Sequence, residues 1–266
     1  MTLKRLFLLV PLLFAAFSTF AQQSSTTTTP VTKDPQAVSL ASASLAALSG
    51  TTAITDVTLT GTATRIAGSD SETGTVTLKV AGSSDSRIDL NLSNGPRSEM
   101  RNVSNSAPQG SWTGTDGVSH AIPMHNCMTD AAWFAPQLSV LSQLSDPGLA
   151  VMYVGQETRD GAAVQHLHFE SPQSSSVDPT GLVRHLTAED VYLDASSFLP
   201  VAITFSTHPD NDAGTDIPVE IDFSIYTRVK GAQIPFHVQK YLNGSLFLDL
   251  VIQSAVLNSG ISQSAF

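Results

Sequence analysis

The chain has 266 residues, a formal net charge of −10 at pH 7 and a hydrophobic content of 41%. An acidic balance of this size argues against binding to nucleic acid and against electrostatic docking on anionic lipid. The hydrophobic content argues against disorder, and because charged residues are only 14% of the chain, Ser and Thr supply most of its polarity.

Residues 1–21 have the pattern of a secretory signal peptide. Lys4 and Arg5 precede an apolar run at residues 6–17, and Thr19 and Ala21 are the small residues that a cut after position 21 requires. A membrane anchor is the alternative, but the run is shorter than the roughly 20 residues of a spanning helix. Export with cleavage removes Lys4 and Arg5 and changes the net charge from −10 to −12.

Residues 22–34 are a low-complexity Ser/Thr segment, which we predict to be a flexible leader. Residues 35–266 are predicted to form one domain. Cys127 is the only cysteine, so neither an internal disulfide nor a lipid-modified cysteine near the cut is expected.

A helix is predicted to begin at Pro35. Val38, Ala41, Leu45 and Leu48 recur at helical spacing, and Gly50 ends the pattern. Its apolar stripe is narrow, so the helix must pack against another element.

Strands with period-two alternation follow the helix. They are predicted near residues 57–66, 76–80, 88–92, 98–103 and 110–121, with turns at 68–74 and 94–96. The spacing predicts a meander of hairpins.

Residues 130–144 interrupt the strand pattern. Trp133, Phe134, Leu138 and Leu141 fit one face of a helix, with Asp130 as its N-cap. Two interpretations of Trp133 and Phe134 stay open: core packing under a helix, or part of a lid over an apolar cavity.

Strands resume at residues 150–154, 164–170, 184–193, 201–206 and 218–229. The last two strands flank Asn243-Gly244, and alternation on both sides of such a dipeptide is the strongest short-range signal of a β-hairpin.

Two groups of residues could hold a metal ion. His166 and His168 point to one face of a strand, and His185 or His208 could be a third ligand. Residues 124–128, MHNCM, combine soft ligands that suit Cu(I), and Cys127 beside His125 could be a nucleophile. We favour the simpler interpretations, a solvated strand face and a loop with buried sulfur, and predict no metal and no cofactor.

Several short segments resemble one known family. They are Ser86-Arg87-Ile88-Asp89, Asp116-Gly117, and the segments LDASSFLP, VKGAQIPF and LNSGISQSAF at residues 193–200, 229–236 and 257–266. In these segments, which span most of residues 35–266, the chain resembles the LolA/LolB-like superfamily of bacterial periplasmic lipoprotein carriers. They are similar to the family's Arg-bearing strand, D-G turn, D-x-x-x-x-L-P entry, G-x-x-I-P piece and terminal N-x-G-I piece.

The resemblance implies a mainly β (α+β) fold, an incomplete antiparallel β-barrel with helices covering its concave face. In the carriers, an arginine hydrogen-bonds the lid and holds it shut. Arg87 matches that arginine by position.

We therefore expect an exported protein, periplasmic or secreted, that binds a lipid, an acyl chain or another apolar molecule and is not an enzyme. A lipoprotein or other envelope protein is the expected protein partner. The alternatives are a structural or interaction protein with a packed cavity, and a secreted hydrolase with an unrecognised site. The residues expected to contact the ligand are Leu78, Leu90, Trp133, Phe134, Leu138 and Ile203.

Overall fold

The computed structural model describes residues 31–266. The predicted signal peptide and most of the predicted leader lie outside these residues. In the described part of the chain, no helix is long and apolar enough to cross a lipid bilayer.

The described residues form one antiparallel sheet of 13 strands. The strand order is β6-β5-β4-β3-β2-β1-β13-β12-β11-β10-β9-β8-β7, so β6 and β7 are the two edges and the sheet does not close. The sheet is two meanders, β1 to β6 and β7 to β13, joined where β1 pairs with β13. The prediction of a mainly β, incomplete antiparallel barrel is confirmed.

The strands are β1 (Asp56–Ala67), β2 (Asp70–Ala81), β3 (Asp85–Leu92), β4 (Gly95–Ser104), β5 (Ala107–Thr113), β6 (Ser119–Ala121), β7 (Ala150–Arg159), β8 (Ala162–Glu170), β9 (Glu189–Asp194), β10 (Pro200–Thr207), β11 (Ile217–Val229), β12 (Ala232–Leu242) and β13 (Ser245–Leu257). The helices are α1 (Pro35–Ser49) and the short α2 (Leu182–Leu186), with 3₁₀ turns at Met124–Cys127, Val140–Gln143 and Gln263–Ala265.

One face of the sheet carries the apolar residues of the alternating pattern. Leu59, Leu78 and Ile88 are neighbours across β1, β2 and β3, and Ile221 and Ile203 are neighbours across β11 and β10. All five are at most 6% exposed and belong to one core cluster. We call this the inner face, because α1 and residues 130–144 pack against it.

The predicted helix α1 is present. Asp34 accepts hydrogen bonds from the backbone N–H groups of Gln36 and Ala37, and Gly50 ends the helix at a positive φ of 60°. The last residues of the predicted leader contact β7: Asp34 N donates to Val151 O, and Val151 N donates to Thr32 O.

The prediction of a helix at residues 130–144 is wrong. This segment, which we call the plug, is a series of turns with a single 3₁₀ turn at Val140–Gln143. Residues 130–141 are buried on all sides, so the segment has no solvated helical face. Pro136 lacks the N–H of a helix interior, and Ser139 is extended, with ψ −171°. Asp130 accepts from the N–H groups of Ala132 and Val140.

Three strand boundaries also differ from the prediction. The strand predicted at 184–193 begins only at Glu189, because Asp178 accepts from the N–H groups of Leu182 and Val183 and starts α2 there. The turn predicted at 68–74 is shorter, with β2 already beginning at Asp70, and residues 110–121 divide into β5 and β6.

The predicted terminal hairpin is confirmed. Asn243 and Gly244 lie between β12 and β13 with φ values of 48° and 74°. Two consecutive positive φ angles are those of the type I′ turn that suits the twist of antiparallel strands.

Candidate functional site

A cavity of about 190 Å³ lies on the inner face beside the plug. Its apolar wall comes from three strands, β3, β5 and β13, and from the plug. The apolar lining residues are Ile88, Leu90, Trp112, Trp133, Phe247 and Leu248.

The rim of this cavity is cationic, although the whole chain is acidic. Arg65, Arg97 and Lys240 line it, and Arg101 lies on β4 two residues beyond Glu99, which also lines the cavity. Two carboxylates lie beside these cations, those of Glu99 and Glu72. Four cationic groups against two carboxylates leave an excess of two positive charges in a chain whose net charge is −10.

Hydrogen bonds to carboxylates hold three of these cations in place. Glu72 is 2% exposed, and its Oε1 accepts from Arg65 Nη1 at 3.1 Å and from Arg97 Nη2 at 2.7 Å. Glu99 accepts from Arg101 Nε at 2.9 Å. Burial raises the pKa of Glu99, but the charges of Arg101 and Lys240 outweigh it, so this pKa is lowered overall.

Lys240 differs from the three arginines. Its ammonium lies over the Trp133 ring, 4.6 Å from the ring centroid, and among the described residues it forms no ion pair. Burial lowers its pKa, and the charge of Glu99 opposes this shift. Lys240 therefore presents a cation to the cavity without a direct carboxylate partner.

A second cavity, of about 230 Å³, lies against the same group of side chains. Glu99, Trp112, Lys240 and Phe247 line both cavities. Trp112 is 44% exposed and stacks on His120 near the sheet edge. The two cavities therefore share one wall.

The six predicted ligand-contacting residues belong to one apolar cluster. Trp133 and Leu90 line the 190 Å³ cavity. The other four are packed in the adjoining core, each at most 4% exposed: Leu78, Phe134, Leu138 and Ile203. Their contact with a ligand stays a prediction.

The plug is attached to the sheet by Arg101. Its Nη1 donates to Asn126 O and to Thr129 Oγ1, both at 3.1 Å, immediately before the plug begins. Arg87 is on the opposite face of β3 from Ile88, and its Nε donates to Asp89 at 2.8 Å. Among the described hydrogen bonds, those of Arg87 do not reach the plug, and its latching role stays a prediction.

A third cavity, of about 290 Å³, lies at the start of the plug between β4 and β9. Asp130 and Glu189 line it, and both are more than nine-tenths buried. Burial raises the pKa of Asp130 to about 7, and burial followed by the charge of Asp130 raises that of Glu189. Glu189 Oε1 has no hydrogen-bond partner among the described residues.

The histidines predicted as alternative metal ligands are divided between two places. His166 and His168 share Asp190, whose Oδ1 is 3.0 Å from His166 Nε2 and 2.8 Å from His168 Nδ1. His185 and His208 instead lie within hydrogen-bond distance of Asp216, at a separate place.

The MHNCM segment does not bring its sulfur atoms together. Met124 is 63% exposed, whereas Cys127 is buried and its Sγ lies 3.7 Å from Ile122 O. His125 Nε2 is bonded to Pro209 O, away from the thiol. Burial also raises the pKa of Cys127, which disfavours the thiolate that a nucleophile needs.

Sequence reasoning missed a Ser–His–Asp arrangement on the outer face of the sheet. Ser224 Oγ is 3.0 Å from His237 Nδ1, and His237 Nε2 is 2.7 Å from Asp249 Oδ1. The serine contacts the nitrogen opposite to the one used in serine hydrolases. The three lie outside the cavities described here, so we interpret them as cross-strand pairing on β11, β12 and β13.

No protein family model matches this sequence, and no curated protein matches it either. Solved structures do match. A putative outer membrane lipoprotein-sorting protein domain from Vibrio parahaemolyticus is 12% identical, with a TM-score of 0.54, and the match covers 86% of this chain and 95% of that domain.

Two further structures are similar. A DUF1329 family protein from Desulfovibrio piger is 10% identical, with a TM-score of 0.55 and coverage of 87% of this chain and 95% of its own. A LolA superfamily protein from Nitrosomonas europaea is 8% identical, with a TM-score of 0.50 and coverage of 86% and 99%. The chain has a LolA-like fold. At these identities the likeness concerns the fold alone.

Proposed function

We propose that this protein is exported to the cell envelope and there binds an amphiphilic molecule, an apolar chain with an anionic headgroup. The observation that carries this proposal is the cavity beside Trp133. It combines an apolar wall with a cationic rim in a strongly acidic protein.

The apolar wall suits an acyl chain. Leu90, Trp133 and Phe247 offer surfaces to which methylene groups can transfer from water, with a gain of about 0.8 kcal/mol for each buried CH₂. The rim suits a carboxylate or phosphate, because Lys240 has no direct carboxylate partner among the described residues and a charge-assisted hydrogen bond is strong in a partly buried site.

The cavity is too small to hold a long acyl chain. Its volume of about 190 Å³ is below the roughly 300 Å³ at which small-molecule pockets begin. We propose that a longer chain enters when the plug moves. The plug lacks a regular hydrogen-bond ladder and is connected to the sheet by few polar contacts, such as Arg101 with Thr129 and Gln137 with Gln233.

The binding experiment uses a fluorescent fatty acid, cis-parinaric acid, and its methyl ester, which has the same chain without the charge. A Trp112→Phe background leaves Trp133 as the only tryptophan. We expect both probes to bind and to quench Trp133 by energy transfer. Lys240→Gln should weaken binding of the acid about tenfold or more, since hydrogen bonds to charged groups contribute about 1.5–3 kcal/mol. It should leave binding of the ester unchanged.

The matched control is Lys79→Gln, which removes a positive charge from the outer side of β2 and should change neither affinity. If neither probe binds saturably to the folded protein, the packed-cavity alternative is correct. If Lys240→Gln weakens both probes equally, Lys240 does not bind the headgroup.

The same assay tests which arginine holds the plug in place, Arg101 or Arg87. Arg101→Leu should speed probe entry, because it removes both hydrogen bonds to the residues just before the plug. Arg87→Leu should speed entry as well if the role implied by the family resemblance applies to this chain. If Arg101→Leu speeds probe entry and Arg87→Leu does not, Arg101 is the residue that holds the plug against the sheet.

A further inference from the structure

Three side chains from separate segments meet at one carboxylate oxygen. His185 is in α2, His208 follows β10, and Asp216 precedes β11. The Nε2 atom of His185 is 2.9 Å from Asp216 Oδ1, and that of His208 is 3.0 Å from the same oxygen. The three atoms lie within 4.8 Å of one another.

Side-chain hydrogen bonds hold His208 and the turn before Asp216 in place. Asn126 accepts from His208 N and donates to His208 O, both at 2.8 Å, so its amide fixes the residue from both sides. Asp212 accepts from Gly214 N at 2.9 Å and from Thr215 Oγ1 at 2.7 Å, immediately before Asp216. Such a site loses little entropy when a ligand binds.

Two imidazole nitrogens and one carboxylate oxygen are a donor set of divalent transition-metal ions, and of Zn²⁺ in particular. A tetrahedral ion with bonds of about 2.0–2.1 Å places its ligand atoms about 3.3 Å apart. The two measured distances to Asp216 would therefore grow by only a few tenths of an ångström.

The remaining coordination position faces solvent. The side chains of His185 and Asp216 are 42% and 45% exposed, whereas that of His208 is fully buried. An ion can reach the site from the surface, and water can be its fourth ligand.

We propose that His185, His208 and Asp216 form a binding site for Zn²⁺ or a similar divalent transition-metal ion. The alternative is that Asp216 only accepts two imidazole N–H groups. The proposal is independent of the amphiphile site. Because Asn126 joins His208 to the residues leading into the plug, a bound ion would also stabilise the start of the plug.

The test is isothermal titration of the tag-free, chelator-treated protein with Zn²⁺. We expect one ion per chain and a higher melting temperature, whereas Mg²⁺ should not bind because it prefers oxygen ligands. His185→Gln and Asp216→Asn should each weaken Zn²⁺ binding by at least about tenfold. Both residues are partly exposed, so both variants should fold.

The matched control is His166→Gln, which alters the other His–His–Asp group. There, carboxylates contact both ring nitrogens of His166, Glu157 at Nδ1 and Asp190 at Nε2. This variant should bind Zn²⁺ as the parent protein does. Absence of Zn²⁺ binding, or equal affinity in the parent, His185→Gln and Asp216→Asn proteins, would overturn the proposal.

Discussion

At the scale of single residues, the charged side chains on the inner face are held by specific partners. Burying an ionised group is costly unless it is paired, and Glu72 meets this requirement by accepting from two arginines. The buried ammonium of Lys240 is partly stabilised by the Trp133 ring, because a cation over an aromatic face is attracted by the ring quadrupole. A ligand anion would complete its environment.

Glu189 is buried with one carboxyl oxygen, Oε1, that has no hydrogen-bond partner among the described residues. Its carboxyl is buried beside Asp130, and burial raises its pKa in the folded protein. A raised acid pKa means that the folded state binds the proton more tightly than the unfolded state, so stability falls as the pH rises from the ordinary pKa of Glu through the raised value.

We predict that Glu189→Gln reduces this loss of stability. The melting temperature of the variant should fall less between pH 5 and pH 8 than that of the parent protein, because Gln has no proton to release. The control is Asp70→Asn, which makes the same acid-to-amide change at the exposed first residue of β2. Identical pH dependence in the parent and Glu189→Gln proteins would contradict the prediction.

At the scale of elements, the terminal hairpin depends on its two-residue turn. Gly244 has a φ of 74°, where a β-branched residue is strained. We predict that Gly244→Val lowers the free energy of unfolding by at least about 1–2 kcal/mol, measured by urea denaturation. Ser245→Val, at the exposed first residue of β13, is the control and should be tolerated. An unchanged midpoint in Gly244→Val would count against the turn.

The plug is the element that departs most from its sequence pattern. The apolar spacing of Trp133, Phe134 and Leu138 resembles a helix face, but these residues are buried without a solvated side opposite them. Tertiary contacts therefore override the local pattern. Backbone groups are satisfied instead by side chains, as when Asp130 accepts from Val140 N across ten residues.

At the scale of the whole molecule, the proposed function requires that the chain reaches the cell envelope. We predict that the chain is exported and cut after Ala21, so that N-terminal sequencing of the secreted protein begins at Gln22. Replacing Lys4 and Arg5 with Glu should slow export and accumulate precursor. A mature protein that still begins at Met1 would refute the prediction.

The sequence alone was sufficient for the parts of this fold that short-range rules decide. Period-two alternation predicted most strands, Asn243-Gly244 predicted the last hairpin, and the spacing from Val38 to Leu48 predicted α1. These features need only neighbours along the chain, since alternation follows from strand geometry and positive φ from the residue type.

Only the tertiary structure determined which residues that are distant in sequence become neighbours. Gly61 has no room for a Cβ atom, which would lie 2.1 Å from Val251 O, nearly 200 residues away along the chain. The cationic rim joins β1, β4 and β12, and the group of His185, His208 and Asp216 joins α2 to the residues after β10 and before β11. Strand order and loop closure set these distances, and no local pattern encodes them, because residues far apart in sequence become neighbours only after the sheet has paired.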